Sequence, residues 1–256
     1  MDFDNQLDLK KNTLSDNNKN KSVLWLLGFA IGTIVLWQVP GGNFILYPFT
    51  ILGTWFHEMG HGITAIFLGG DFLRLELYPD GSGLTTHTGD LFFGRIGRGI
   101  VAAAGPLGPT FIGGLFIYAA TNEKLTKIIL TLFSIMLAIS IIFWIRPLFG
   151  FGTGIILLFS IFIIFISLKA SPSLKRFTLQ FLGIQSLVSL YLSIGYLFSD
   201  GGAIEGKNYY SDTMVMQQHL LLPYWFWGAA ILVFSAFIIY KSLSYAYKGK
   251  KQAKST

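Results

Sequence analysis

Long uncharged apolar runs are the feature that most restricts how this 256-residue chain can fold. From Ser22 to Phe56 no charged residue occurs, and only 12% of the whole chain is charged, against about 25% in soluble domains. A helix needs about 20 apolar residues to cross the hydrocarbon core, where every backbone polar group must be bonded internally. The sequence therefore predicts an all-α polytopic membrane protein, with the lipid bilayer as its first partner.

Seven runs have the length and hydropathy of membrane-spanning helices. They lie near residues 23–39, 47–68, 99–120, 128–145, 147–168, 177–198 and 223–240. The fourth and fifth runs meet at Arg146 and form either two full spans or one bent hairpin. We therefore expect about seven transmembrane helices. Nine basic residues fall on one side of this arrangement and ten on the other, so the positive-inside rule predicts no orientation.

The two ends of the chain differ from its apolar middle. Residues 1–21 are rich in Asn, Asp and Lys and are expected to form a disordered polar tail. Residues 22–245 form the transmembrane domain, whose first run is expected to remain as an anchor, and residues 246–256 form a basic tail. The net charge of +6 lies in the tails and short connections, where it favours anionic headgroups over nucleic acid.

One short motif in the second apolar run carries the chemistry. His57-Glu58-Met59-Gly60-His61 reads H-E-x-x-H, and the chain has no cysteine to serve as a metal ligand. Histidines four residues apart share one helical face and can bind one metal ion, while Glu58 can take a proton from water. The alternative is a hydrogen-bonded polar patch between helices. Ionisable groups at membrane depth are costly and usually mark function, which favours the metal site.

A catalytic zinc ion usually has three protein ligands, so the two histidines leave one ligand to be found. The candidates lie outside the motif and near the ends of spans: His87, His219, Asp71, Asp90, Asp200, Glu205 and Asp212. Asp212 is preferred, because Ser211-Asp212 is typical of the capped start of a helix that runs inward. Asp200 is the main alternative. An Asp at this position can also be no more than a good helix start.

The segment between the second and third runs has the pattern of a β-hairpin. Residues 73–78 alternate between apolar and polar, residues 79–83 form a turn, and residues 84–88 can return as a strand. An exposed strand edge can hold an extended peptide, although a hairpin that only caps the bundle fits the pattern equally well. The third run then contains Ala104-Gly105-Pro106-Leu107-Gly108-Pro109, whose small residues permit close contact between helices.

Together these features resemble the site-2 protease family of intramembrane zinc metallopeptidases, and in particular a shorter bacterial branch of it. The resemblance covers roughly residues 45–240. It implies that His57, His61 and Asp212 bind Zn²⁺ and that Glu58 is the general base and acid. The sequence departs from the better-known members at two points. It lacks the Asn-Pro and Asp-Gly segment that carries their third ligand, and Pro109 stands where many have an asparagine.

The resemblance implies a multi-pass zinc endopeptidase of the bacterial inner membrane that cleaves membrane-embedded or membrane-tethered proteins. The alternative is a non-catalytic metal-binding scaffold or carrier that keeps the motif helix. A transporter needs polar groups on several spans near the midplane, and the other spans of this chain have almost none.

Overall fold

The computed structural model describes residues 28–204 and 206–248, most of which are helical. The elements in chain order are α1 (Gly28–Gln38), α2 (Gly42–Phe67), β1 (Asp71–Leu77), β2 (Gly83–Thr88), α3 (Arg95–Ala119), α4 (Glu123–Phe143), α5 (Phe151–Lys169), α6 (Pro172–Leu192), α7 (Ile194–Leu197), β3 (Gly201–Ile204), β4 (Lys207–Tyr210), α8 (Asp212–Leu220) and α9 (Tyr224–Lys248). The predicted tail 1–21, residues 249–256 of the basic tail, and Glu205 lie outside the described residues.

Four of the described helices are long and apolar enough to cross a membrane, namely α3, α4, α5 and α9. Helices α2 and α6 coincide with two further predicted runs and have 26 and 21 residues. Polar side chains lower their hydropathy, and in α2 these include His57, Glu58 and His61. Within the described residues α1 is shorter than a span. The described part of the chain therefore supports four spans and does not confirm the predicted seven.

Two separate helices, α4 and α5, lie on either side of Arg146, and each is long enough to cross a membrane. The structure therefore has two full helices here rather than one bent hairpin. Helix α4 ends at Phe143, and α5 starts at Phe151 rather than at Pro147. The intervening residues pair with β1, because the Leu75 amide donates to the Trp144 carbonyl at 2.9 Å and the Arg146 amide donates to the Leu75 carbonyl at 2.9 Å. This pairing ties β1 to the helical bundle.

The predicted hairpin after α2 is confirmed. Strands β1 and β2 are antiparallel, with Asp71 opposite Thr88 and Leu77 opposite Gly83. The Asp80 carboxylate organises the turn, since it accepts hydrogen bonds from the Ser82 amide at 2.9 Å and the Ser82 hydroxyl at 2.6 Å. These bonds to the ionised form hold the pKa of Asp80 below its usual range. One edge of β1 is paired with residues 144–146, so the outer edge of the hairpin is β2.

A second hairpin, β3–β4, was not predicted from the sequence. Its strands have only four residues each, and Gly201 pairs with Tyr210. Gly201 has a φ of 140°, and a Cβ at this position would lie 1.9 Å from the Tyr209 carbonyl oxygen. Glycine is therefore required where the hairpin begins.

An aromatic cluster fixes the rotation of α2. Phe56 stacks on Phe133 with ring centroids 5.3 Å apart, and Phe116 meets Phe133 edge to face at 5.1 Å. Beside them, Trp55 donates a hydrogen bond to the Ser140 hydroxyl at 3.0 Å. At 100° per residue these side chains lie on the face of α2 opposite the two histidines. Burial of the aromatic face thus directs the H-E-x-x-H side chains toward α3 and the first hairpin.

Candidate metal centre

The two histidines of the motif face the same side of α2. Their ring centroids are 4.9 Å apart, with the rings inclined at 74°. This is the arrangement expected for residues four apart on a helix. Both rings turn an Nε2 atom toward the same carboxylate, which belongs to Asp212.

Asp212 lies at the start of α8 and reaches both rings. Its Oδ2 atom is 3.0 Å from His57 Nε2, and its Oδ1 atom is 3.2 Å from His61 Nε2. One ligand atom from each residue lies within 4.8 Å of the other two. This is the only such group of three or more histidine and acidic side chains within residues 28–204 and 206–248. The structure brings together the three side chains that were predicted as ligands.

Local hydrogen bonds place the start of α8 in this position. Ser211 is the N-cap, and its hydroxyl accepts a hydrogen bond from the Met214 amide at 3.2 Å. The same hydroxyl donates to the Ser199 carbonyl at 2.6 Å, and the Thr213 hydroxyl donates to the Leu197 carbonyl at 2.8 Å. Asp212, between these two anchors, is 8% exposed. Its carboxylate is therefore held in the interior rather than left free at a helix end.

The five other predicted ligand candidates that the structure describes do not join this group, and Glu205 lies outside the described residues. Asp200, Asp71 and Asp90 are exposed. The Asp200 carbonyl accepts a hydrogen bond from the Ser211 amide at 3.1 Å, so the main chain of Asp200 supports Asp212 while its carboxylate lies outside the group. His87 and His219 line a cavity beside the centre without belonging to the group of ligand atoms.

The donor atoms lie close enough together to hold one cation. His61 Nδ1 lies 2.8 Å from the Val101 carbonyl, which can only accept, so this nitrogen carries a hydrogen and Nε2 is the ring atom left to bind a metal ion. Asp212 Oδ2 is buried, and its polar contact within the described residues is with His57 Nε2 at 3.0 Å. Ligand atoms about 2.05 Å from a tetrahedral ion lie roughly 3.3 Å apart. The separations of 3.0 and 3.2 Å are close to that spacing.

The charge state of Asp212 also suits a metal ligand. Burial alone raises the pKa of its carboxyl group, but the neighbouring His61 and His57 rings outweigh burial and hold the pKa well below its usual range. Asp212 is therefore ionised at neutral pH, and an ionised carboxylate is the form that binds a metal ion.

Glu58 is buried between α2 and the first hairpin. The residue is 7% exposed, and a Cβ placed on Gly83 would lie 2.8 Å from Glu58 Cγ. The Thr85 hydroxyl donates to the Glu58 main-chain carbonyl at 2.9 Å. Strand β2 thus packs directly on the motif helix, and its glycine leaves the space that the Glu58 side chain occupies.

Two cavities of about 350 and 320 Å³ meet at the motif helix. Both are lined by His57, Glu58 and Gly83 on one side and by Tyr196, Ile204 and Tyr209 on the other. The first hairpin and the unpredicted β3–β4 hairpin therefore face each other across the three predicted metal ligands and Glu58. We call this space the cleft.

Sequence reasoning missed several residues of the cleft wall. Tyr196 follows α6 in a four-residue helix, and its ring lines both cavities. Ile204 and Tyr209 belong to the second hairpin, and Arg98 belongs to the first turn of α3. The adjacent glycines at 201 and 202 were the one available signal for the turn into β3. Arg98 was counted only as a basic residue at a membrane boundary.

The apolar helices, the H-E-x-x-H helix and the adjacent carboxylate define the class of helical membrane proteins with a metallopeptidase-like centre. A family model described as Peptidase M50B-like matches residues 26–242 of the chain. The chain therefore belongs to this family, within the site-2 protease family of membrane metallopeptidases, and is an integral membrane protein. The predicted family resemblance is confirmed. No curated protein and no solved structure shows significant similarity to the chain.

Proposed function

We propose that this protein is a zinc endopeptidase of the bacterial inner membrane that cleaves membrane-embedded or membrane-tethered proteins. One observation carries the proposal. The donor atoms of His57, His61 and Asp212 converge beside the buried Glu58 carboxylate in an open cleft. Three protein ligands with room for a fourth are the usual arrangement of a catalytic zinc site, whereas structural sites are closed by four.

The proposed ligands are His57 Nε2, His61 Nε2 and the Asp212 carboxylate. Zinc, when bound by them, supplies the Lewis acidity that polarises a scissile carbonyl and lowers the pKa of water. The Glu58 carboxylate takes the proton of the attacking water and passes it to the leaving amine nitrogen. The Val101 carbonyl, through its hydrogen bond with His61 Nδ1, keeps the ring in the tautomer that offers Nε2.

The cleft also offers a strand edge for an extended substrate. One edge of β2 pairs with β1, while residues of β2 from Gly83 to His87 line the cleft beside Glu58. An unwound peptide added along this edge would have its backbone held by hydrogen bonds next to the proposed zinc ligands. A helical substrate would have to unwind before it bound in this way, which suits cleavage of a membrane-spanning segment near its end.

Zinc removal tests the proposal directly. Purified protein is expected to contain close to one zinc ion per chain and, in liposomes, to cleave single-span proteins from its own membrane fraction. Treatment with 1,10-phenanthroline should abolish the cleavage, and added zinc should restore it, because the bound zinc ion is the proposed source of activated water. New peptide termini are measured by mass spectrometry. A zinc-loaded protein that cleaves nothing in this assay would favour the non-catalytic scaffold.

Gly105 on α3 gives a second test of the proposed zinc site. A Cβ at this position would lie 2.2 Å from His61 Nε2 and 2.8 Å from His57 Nε2, so only glycine leaves the ligand atoms free. We expect Gly105→Ala to weaken zinc binding by roughly tenfold or more, since a side chain there displaces both rings. Zinc content and affinity are measured by competition with a chromogenic chelator.

Gly154→Ala is the matched control for this change. Gly154 lies in the apolar helix α5, and a Cβ there would meet nothing within 4 Å. This variant is expected to bind zinc like the unaltered protein. Equal zinc affinity in Gly105→Ala and Gly154→Ala would show that the metal is held elsewhere.

A further inference from the structure

Arg98 stands out among the residues that line the 320 Å³ cavity of the cleft. This cavity contains His57, Glu58, His61 and Asp212, and its wall also includes Arg98, His87 and His219. We call these three wall residues the basic rim. They come from three different elements, α3, β2 and α8, so the tertiary structure rather than one local segment assembles them.

Arg98 has no counter-charge in the described part of the chain. Each of the four other described arginines contacts an acceptor: Arg74 contacts Glu76, Arg95 the Gln218 carbonyl, Arg146 the Ile145 carbonyl and Arg176 Glu123. No acidic residue lies in the first turn of α3, where the helix dipole disfavours a cation. An anion beside Arg98 would relieve both the unpaired charge and the unfavourable position.

The two histidines of the basic rim add hydrogen-bonding groups rather than charge. Burial lowers the pKa of His87, and the nearby His61 and Arg98 lower it further. Burial also lowers the pKa of His219, and the Arg98 and Arg95 guanidinium groups lower it further. Both rings are therefore neutral at neutral pH, and the guanidinium supplies the positive charge of the rim. Among the described residues, the acidic side chains that line the same cavity are Glu58 and Asp212, which the proposed chemistry already occupies.

We propose that Arg98 binds the carboxylate of an Asp or Glu side chain of the substrate, so that the protease selects an acidic residue near the scissile bond. This inference rests on the proposed function. Both Arg98 and Arg95 are exposed. A substrate carboxylate is favoured over a lipid headgroup because Arg98 lines the cavity that holds the proposed ligands, while Arg95 does not line it and is bonded to the Gln218 carbonyl of α8. A guanidinium matches a carboxylate in a two-point, planar contact.

The helix geometry predicts how far the acidic residue lies from the cleaved bond. Arg98 precedes Val101 by three residues, and the Val101 carbonyl contacts His61. The two positions share a helical face and are separated by about 4.5 Å along the axis. The Arg98 side chain extends the reach further, and an extended peptide rises about 3.3 Å per residue. The acidic residue is therefore expected about one to three residues from the scissile bond.

Peptide binding to the zinc-loaded Glu58→Gln variant tests the inference without hydrolysis. The probes are fluorescent extended peptides of alanine and leucine that carry one glutamate, or one glutamine, moved stepwise along the chain. We expect glutamate to improve binding about fivefold over glutamine at one or two adjacent positions. Arg98→Gln should remove this preference, Arg95→Gln should keep it, and Arg98→Glu should transfer it to peptides carrying lysine.

The outcomes separate this inference from the proposed function. Peptides that bind with no preference for glutamate, or a preference that Arg98→Gln and Arg95→Gln reduce equally, would overturn the role of Arg98 and leave the protease proposal standing. A preference seen only in phosphatidylglycerol vesicles, and not in phosphatidylcholine vesicles, would assign the charge to lipid and overturn it as well. If no peptide binds to the zinc-loaded variant, the role of Arg98 is overturned, while the cleavage assay with 1,10-phenanthroline decides the protease proposal separately.

Discussion

Replacement of Glu58 by glutamine is expected to lower kcat by about 10³-fold or more while bound zinc stays near one ion per chain. Glutamine has nearly the same size as glutamate but cannot accept the proton of the attacking water. Glu58 is not one of the three grouped ligands, so its substitution leaves the proposed metal site complete. The measurement compares single-turnover cleavage with zinc content in the same preparation.

Glu76→Gln is the matched control. Glu76 lies on β1, where it forms an ion pair with Arg74 at 3.3 Å, and its side chain is 20% exposed. The same chemical change there is expected to alter cleavage less than about threefold, because a partly exposed ion pair contributes little. If Glu58→Gln retained zinc and still cleaved at a rate comparable to Glu76→Gln, Glu58 would not be the base.

Loss of the Asp212 carboxylate is expected to weaken zinc binding by about 100-fold or more, whereas loss of the Asp200 carboxylate should leave it unchanged. Substitution of residues that merely orient a ligand already costs about 10- to 100-fold, and Asp212 is the proposed ligand itself. Its two oxygens lie 3.0 and 3.2 Å from the histidine nitrogens, while the Asp200 side chain is exposed. Zinc content of Asp212→Ala and Asp200→Ala provides the comparison.

A second variant, Asp212→Asn, shows whether zinc loss in Asp212→Ala results from the missing ligand or from misfolding. Asp212→Asn keeps the size of the side chain, and the Ser211 cap of α8 remains in place. We expect it to retain the helix content and thermal transition of the unaltered protein and still lose zinc. Full zinc binding by Asp212→Asn and Asp212→Ala, together with loss in Asp200→Ala, would assign the third ligand to Asp200.

Local patterns predicted the parts of this protein that depend on neighbouring residues. The spacing of His57 and His61 is enough to place both rings on one face of α2, because a helix repeats every 3.6 residues. The alternation before Pro79 and the Asp-Gly turn likewise predicted the first hairpin. Hydropathy alone predicted the number of membrane spans less well. The polar groups that make α2 chemically useful also lower its hydropathy, and the count of seven was not confirmed.

Local sequence patterns did not predict the second hairpin or the basic rim. Strands as short as β3 and β4 carry almost no periodic signal, and their pairing depends on Gly201 more than on side-chain alternation. Arg98 is unremarkable in the sequence, since basic residues are common at the ends of membrane helices. Its place in the cleft follows from the packing of α3 against α2 and α8.

The sequence by itself determined the chemistry available to this protein: a pair of histidines and a carboxylate on one helix, in a chain too apolar to fold in water. The tertiary structure decided which distant carboxylate meets the histidines. Asp200 and Asp212 lie in one connection, and sequence spacing does not tell which side chain turns inward. Hydrogen bonds from Ser211 and Thr213 to the carbonyls of Ser199 and Leu197 turn Asp212 into the cleft, because buried polar groups must find partners.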